Sequence, residues 1–229
     1  MTERVTLRDG REMQIRPARS EDAKAIAAEH PIPREGRAPD RLYRNYYLAK
    51  TLIYVRAPGA GVTTGWVDGC LGGFVFHCRN LDAVRRFTRA PRTLLWLASE
   101  AVRGRFGYHP GLWLEAARWA TQHFRQPPDY SEASAAAQDV PEIEAWIGTV
   151  HTVDDFRRLG VATHLLASAE EHLEHQGAAA VALWVASDNE PAKSLYRKRA
   201  YERAGDFGRV GERCDLLVKD LTAGRSPAE

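Results

Sequence analysis

Two periods of apolar residues run along this chain, and the places where one gives way to the other outline its elements. Runs with period two predict strands at Met13–Arg16, Val62–Val67, Cys70–His77, Ile143–Val153 and Cys214–Val218. A short continuous apolar run, Ala180–Val185, predicts a buried strand. Asp68-Gly69 between two of these runs predicts a tight β-hairpin, because both positions tolerate positive φ. The helical period predicts four helices. Glu21–Glu29 has Ser20 as its N-cap and Ala23, Ile26 and Ala27 on one face; Asp40–Ile53 carries Leu42, Tyr43, Tyr46, Tyr47 and Leu52. Gly160–Gln176 has Val161, Leu165, Leu166, Ala169 and Leu173 on one face and Gly177 as its stop; Pro191–Arg199 has proline in its first turn.

Between the hairpin and Ile143, residues 81–128 read as a helical insertion of two or three helices, interrupted at Pro91 and at His109-Pro110-Gly111. A loop rich in Pro, Ser and Ala follows to Pro141. The order strand, helix, helix, hairpin, insert, strand, helix, strand, helix, strand predicts an α/β fold with a mixed sheet. No Gly/Ser/Pro-rich linker divides the chain, so residues 1–229 read as one domain, with a flexible C-terminal tail over 222–229.

Composition narrows the class only a little. Of the 229 residues, 44% are hydrophobic and 27% charged, which suits a globular domain, and a net charge of +2 is too small to argue for a nucleic-acid partner. Three cysteines, Cys70, Cys78 and Cys214, form no C-x-x-C pair and suit a reducing compartment. The first residues lack the apolar core of a signal peptide, and no apolar run reaches the roughly 18 residues of a membrane span. The expectation is a soluble, cytoplasmic protein. There is no G-x-G-x-x-G and no GxxxxGK[ST] loop, so motifs give no support for ATP or a dinucleotide.

Chemistry concentrates in one segment. Phe156-Arg157-Arg158-Leu159-Gly160-Val161-Ala162-Thr163 follows a predicted strand and opens a predicted helix. A strand that turns through Arg-x-x-Gly-x-Ala into a helix presents successive N–H groups at a positive dipole end, a site suited to a pyrophosphate. Gly160 and the small Ala162 allow close backbone approach, and Arg157 or Arg158 can add a charge-assisted bond. One strand later comes Asn189-Glu190-Pro191-Ala192-Lys193-Ser194-Leu195-Tyr196, followed by Lys198-Arg199-Ala200-Tyr201.

Together with Val150-His151-Thr152, these segments resemble the GNAT acetyltransferase superfamily, whose pattern is Q/R-x-x-G-x-G/A, then N-x-x-A-x-x-L/F-Y, then a K-x-G-F-like ending. The similarity covers residues 140–221 best; Ala200 and Tyr201 depart mildly from the usual Gly and Phe. It implies a GNAT-like mixed, splayed β-sheet flanked by helices, with the helical insertion between the third and fourth strands. It further implies acetyl (acyl) transfer from acetyl-CoA to a primary amine, by direct attack in a ternary complex. Residues Arg157 to Thr163 (Arg157, Arg158, Leu159, Gly160, Val161, Ala162, Thr163) would cradle the pyrophosphate. The exposed edge at Val150, His151 and Thr152 would receive the pantetheine arm, with the Val150 N–H polarising the thioester carbonyl. Asn189 and Ala192 belong to the same cofactor track, Asn189 bonding the pantetheine or holding the loop. Tyr196 would protonate the leaving thiolate.

The general base is less determined. Glu144 shares side-chain parity with Val150 and Thr152 on the same predicted strand; Glu142 and His151 are alternatives. No metal is expected. His164, His172 and His175 with Glu170, Glu171 and Glu174 fall mostly off the apolar face of their helix, and there is no H-E-x-x-H. The insert interleaves Arg85, Arg86, Arg89, Arg92, Arg103, Arg105, Arg118 and Arg125 with Trp96, Phe106, Tyr108, Trp113, Trp119 and Phe124. It reads as amphipathic helices packed on the domain, as an acceptor-pocket wall, as a homodimer face or as a contact with an anionic surface. The favoured acceptor is a small-molecule amine, an amino sugar or a secondary-metabolite intermediate. A protein or peptide amine, or a non-catalytic acyl-CoA sensor, is the alternative.

Overall fold

A computed structural model describes residues 2–31, 40–106, 143, 145–209 and 212–222. Its strands are β1 (Glu3–Thr6), β2 (Glu12–Pro17), β3 (Ala60–Val67), β4 (Cys70–Cys78), β5 (Ala145–Thr152), β6 (Ala180–Ala186), β7 (Glu202–Arg209) and β8 (Glu212–Asp220). Its helices are α1 (Ala23–Glu29), α2 (Asp40–Arg56), α3 (Leu81–Arg89), α4 (Pro91–Val102), α5 (Val161–His175) and α6 (Glu190–Lys198), with a 3₁₀ turn at Asp154–Phe156 before α5. The strands form one sheet in the order β1-β2-β3-β4-β5-β6-β8-β7. Every neighbouring pair is antiparallel except β5 and β6.

The predicted elements appear with small shifts, and the hairpin turns at Asp68 and Gly69, both at positive φ. Two expectations need correction. The helical segment starts between the fourth and fifth strands, because β1, a strand of four residues, precedes all the others and was not expected. Residues 81–106 of that segment include α3 and α4, with Pro91 opening α4; residues 107–128, and with them Tyr108, Trp113, Arg118, Trp119, Phe124 and Arg125, lie outside the described residues. Ser20 does not cap α1. Asp22 stands at the N-cap, and its buried carboxylate accepts from both Arg16 Nη atoms, at 2.7 and 2.8 Å, and from the Arg19 N–H at 2.7 Å. Burying the Asp22 carboxylate costs several kcal/mol, which this well-satisfied geometry offsets. The tail residues 223–229 also lie outside the described residues.

The sheet buries both faces. On one, α5 lays Val161, Leu165, Leu166, Ala169 and Leu173 against Met13, Ile15, Val67, Val75, Ile147, Val181 and Leu183. On the other, Ile26 of α1 meets Val62, Phe74 and Phe76, with Tyr54 and Val55 of α2 packed against them. Two glycines of the hairpin, Gly65 and Gly73, are closely surrounded. A Cβ at Gly65 would lie 2.6 Å from Met13 Sδ; one at Gly73 would lie 2.6 Å from the His151 carbonyl oxygen and 3.1 Å from Leu165 and Val161. A methionine can move aside, but the His151 carbonyl belongs to the β4–β5 ladder. Gly73→Ala should therefore destabilise by about 3 kcal/mol, the upper end of an overpacking cost. Thermal unfolding should show it as a fall in Tm of roughly 10 °C; an unchanged Tm would mean that β5 yields there.

Candidate active site

The ladder between β4 and β5 is interrupted. Val75 pairs with Val150 and His77 with Ile147, so Gly148 and Thr149 together face the single residue Phe76, a β-bulge. Beyond the bulge the other edge of β5 opens: among the described residues β6 pairs with β5 only at Ala145 and Trp146. The Val153 N–H donates to Gly72 O at 3.0 Å, toward β4. Antiparallel alternation then turns the main-chain groups of Val150 and Thr152 away from β4, toward the gap. The sheet thus has a wedge whose β5 edge offers N–H and C=O groups that β6 does not use.

The turn at the mouth of this wedge has the form its sequence implies. Arg158 sits at φ +64° and Gly160 at φ +96°; the second is the N-cap of α5. A left-handed residue with a side chain costs about 1–2 kcal/mol, and the β1–β2 connection holds it in place. The Arg8 N–H donates to Leu159 O at 3.2 Å, and Arg8 Nη1 to Arg158 O at 3.4 Å. In planar trans peptides the N–H opposes the C=O, so the Leu159 and Gly160 N–H groups point away from Arg8. Within α5 the first donor to a helical carbonyl is His164, bonded to Gly160 O at 3.1 Å, which leaves the N–H groups of Val161, Ala162 and Thr163 without an intrahelical acceptor. Five successive N–H groups lie at the positive end of a 15-residue helix. Arg157 extends the positive rim and pairs with Asp154 at 2.7 Å; both side chains are exposed, so the pair adds little stability.

The second motif folds next to it. Asn189 Oδ1 accepts from the Ala192 N–H at 3.2 Å and so caps α6, with Pro191 in the first turn. Of the two roles expected of Asn189, the geometry supplies the one of holding the chain. Tyr196 is 6% exposed in the α5-side core, where Val150, Ala192 and Leu195 also pack. Its ring meets Tyr201 at 5.7 Å, edge to face. Burial pushes its phenol up to about 12, which keeps it protonated at any physiological pH. Behind Tyr201 lies a buried carboxylate, Glu170, bonded to Arg199 and, at 2.5 Å, to Lys219.

On the opposite face of β5, His151 lies against Phe74 at 5.2 Å between ring centres. Nearby, Lys50 reaches Thr149 Oγ1 at 3.4 Å, and the buried His30 stacks on Tyr47 at 3.4 Å. Burial, followed by the charge of Arg157, lowers the His151 imidazole below its ordinary value. Glu144 and Glu142 lie outside the described residues. Arg8 and Lys50 were not expected near the wedge; the Asp9-Gly10 turn signal beside Arg8 was available, but without β1 it had nothing to attach to.

A wedge between parallel strands, a run of N–H groups at a helix start and a capped second helix invite comparison with known proteins. Residues 123–201 match the family model "Acetyltransferase (GNAT) family". Over that stretch the chain is similar to GNAT acetyltransferases. Solved structures share its fold. SsHAT is 18% identical, with a TM-score of 0.59 over 91% of this chain and 98% of that one. An N-acetyltransferase from Staphylococcus aureus Mu50 is 14% identical, with a TM-score of 0.53 over 91% and 98%. The protein yncA from Salmonella typhimurium, solved with its cofactor acetyl-CoA, is 13% identical, with a TM-score of 0.50 over 94% and 98%. No curated protein matches the sequence. GNAT domains transfer acyl groups to nitrogen with acetyl-CoA as co-substrate, and the match supports that activity, acyl-CoA-dependent N-acyl transfer, for this chain. Among the described residues no helix is long and apolar enough to cross a membrane, and no three His, Cys, Asp or Glu side chains group as metal ligands.

Proposed function

We propose that this GNAT domain acetylates the primary amine of a small molecule in a ternary complex, as a cytoplasmic enzyme. The observation that carries the reading is the alignment of three features along one path: the N–H run at Leu159–Thr163, the unpaired β5 edge at Val150 and Thr152, and Tyr196. The first two fit a coenzyme A donor. A pyrophosphate accepts from the N–H run, and a pantetheine amide has the hydrogen-bonding character of a strand. The coenzyme supplies the activated acyl group as a thioester.

The chain's own groups then do four things. The turn, with Arg157 and Arg158 at its rim, neutralises the phosphates. The β5 edge aligns the arm. The Val150 N–H stabilises negative charge that develops on the carbonyl oxygen. Tyr196, protonated at neutral pH, delivers its proton to the departing sulfur. Asn189 holds α6, and so Tyr196, by capping.

The excess of arginine over acidic residues along α3 and α4 favours an anionic small-molecule amine over a basic peptide as acceptor. An amino sugar or a secondary-metabolite intermediate has the right chemistry. A thiol-release assay with acetyl-CoA tests the class. Turnover with phosphorylated or carboxylated small amines, against little or none with N-terminal and lysine peptides, is the expected result. The reverse order would replace the small-molecule reading with the peptide one.

A further inference from the structure

Of the five residues that border the wedge, Gly148 to Thr152, only His151 carries a titratable side chain. Val150 packs into the α5-side core, whereas His151 projects to the opposite face, against Phe74, whose own cluster contains Ile26 of α1. The N–H run also lies at the start of α5. A donor arriving from that side and bonded to Val150 therefore has the His151 imidazole across the strand, on the side from which an acceptor would come. Ala145, where β5 and β6 still pair, is five residues from Val150, about 17 Å along a strand. A base at that end of β5 would be far from the polarised carbonyl.

We propose that His151 is the catalytic base, taking the proton of the attacking amine. This rests on the acyl-transfer reading and adds the proton acceptor to it. The amine lone pair forms the C–N bond as the C–S bond breaks. The amine proton goes to the unprotonated ring nitrogen of His151, and the Tyr196 hydroxyl proton goes to sulfur. Solvent then takes the proton from His151 and returns one to Tyr196, so amine and thioester become amide and thiol with no net proton change.

The second imidazole of the cluster is not placed for this. His30 is buried, rests on Tyr47, and its Nε2 has no hydrogen-bond partner; burial and then Lys50 push it down to about 3. The groups around His151 are Arg157 and Asp154 from the turn, His30 after α1 and Lys50 on α2. Burial and Arg157 outweigh Asp154, so the ring is neutral at pH 7 and able to accept a proton. Activity is retained while His151 is neutral and lost as pH falls through its lowered value, so the acid limb should lie below the ordinary histidine value of about 6.5.

The test compares wild type, His151→Gln and His151→Ala, each with amide and thiol products quantified. NMR titration of the free protein should place the His151 ring below the ordinary value. His151→Gln should keep its acetyl-CoA affinity and Tm and lose about thirtyfold in turnover at pH 7. Its rate should then climb steadily with pH, without the wild-type plateau. Added imidazole should restore part of the His151→Ala rate. A His151→Gln enzyme with the wild-type rate and pH profile would overturn the base assignment and leave acyl transfer intact. A wild type that releases no thiol with any amine would overturn both.

Discussion

Tyr196→Phe should lower turnover by about 10³-fold while leaving acetyl-CoA affinity and Tm unchanged. The substitution removes one oxygen and no carbon, so the packing of the ring against Tyr201 and the α5-side core survives. What is lost is the proton that makes the thiolate a neutral leaving group, a contribution of about 10²–10⁴ in rate for a positioned acid. A phenol pushed up to about 12 is fully protonated at pH 7, so the wild-type rate should show no limb from Tyr196 ionisation across pH 6–9. A steady-state comparison of kcat and KM, with calorimetric titration of acetyl-CoA, separates the outcomes. Retained binding with lost kcat is the expected pattern, and it distinguishes an enzyme from a sensor, which has no use for the hydroxyl. An unaltered kcat would remove Tyr196 from the chemistry.

Gly160→Val should weaken acetyl-CoA binding by about 10²-fold. Gly160 holds φ +96° at the point where the turn enters α5, and a β-branched residue there is strained whatever space surrounds it. The backbone would rotate, and the Gly160 and Val161 N–H groups would leave the line of the other three. Two charge-assisted bonds at about 1.5 kcal/mol each amount to a factor of about 10². Stability should fall by only about 2 kcal/mol, since the helix beyond His164 keeps its own bonds. Calorimetry with acetyl-CoA reads the first effect and thermal unfolding the second. An unchanged affinity in a folded variant would show that the phosphates bind elsewhere.

Most of the site's scaffold could be read from the chain because it is built from local signals. Gly160, Asn189 and Pro191 are helix-start residues, and Asp68-Gly69 is a turn pair; their geometry is set within a few residues. The features that escaped are set by pairing across the sheet. β7 is polar and contains Gly205, opposite a register shift against β8, so its sequence lacks an alternating apolar face; its strand form comes from β8. Among the described residues β1 pairs with β2 alone. The bulge at Gly148–Thr149 and the wedge beyond it depend on how β4, β5 and β6 meet, and no window of sequence contains all three. Ser20 misled for a related reason: a serine before a helical run is a good local cap, but Asp22 has Arg16 from another element to answer it.

The central claim is direct transfer between a donor and an amine held together at the wedge. Initial rates of thiol release, measured while acetyl-CoA and the best small amine are both varied, test it most directly. The account expects saturation in each and intersecting double-reciprocal lines, with amide formed in equal amount to thiol. Parallel lines, or thiol release that does not depend on the amine, would contradict it.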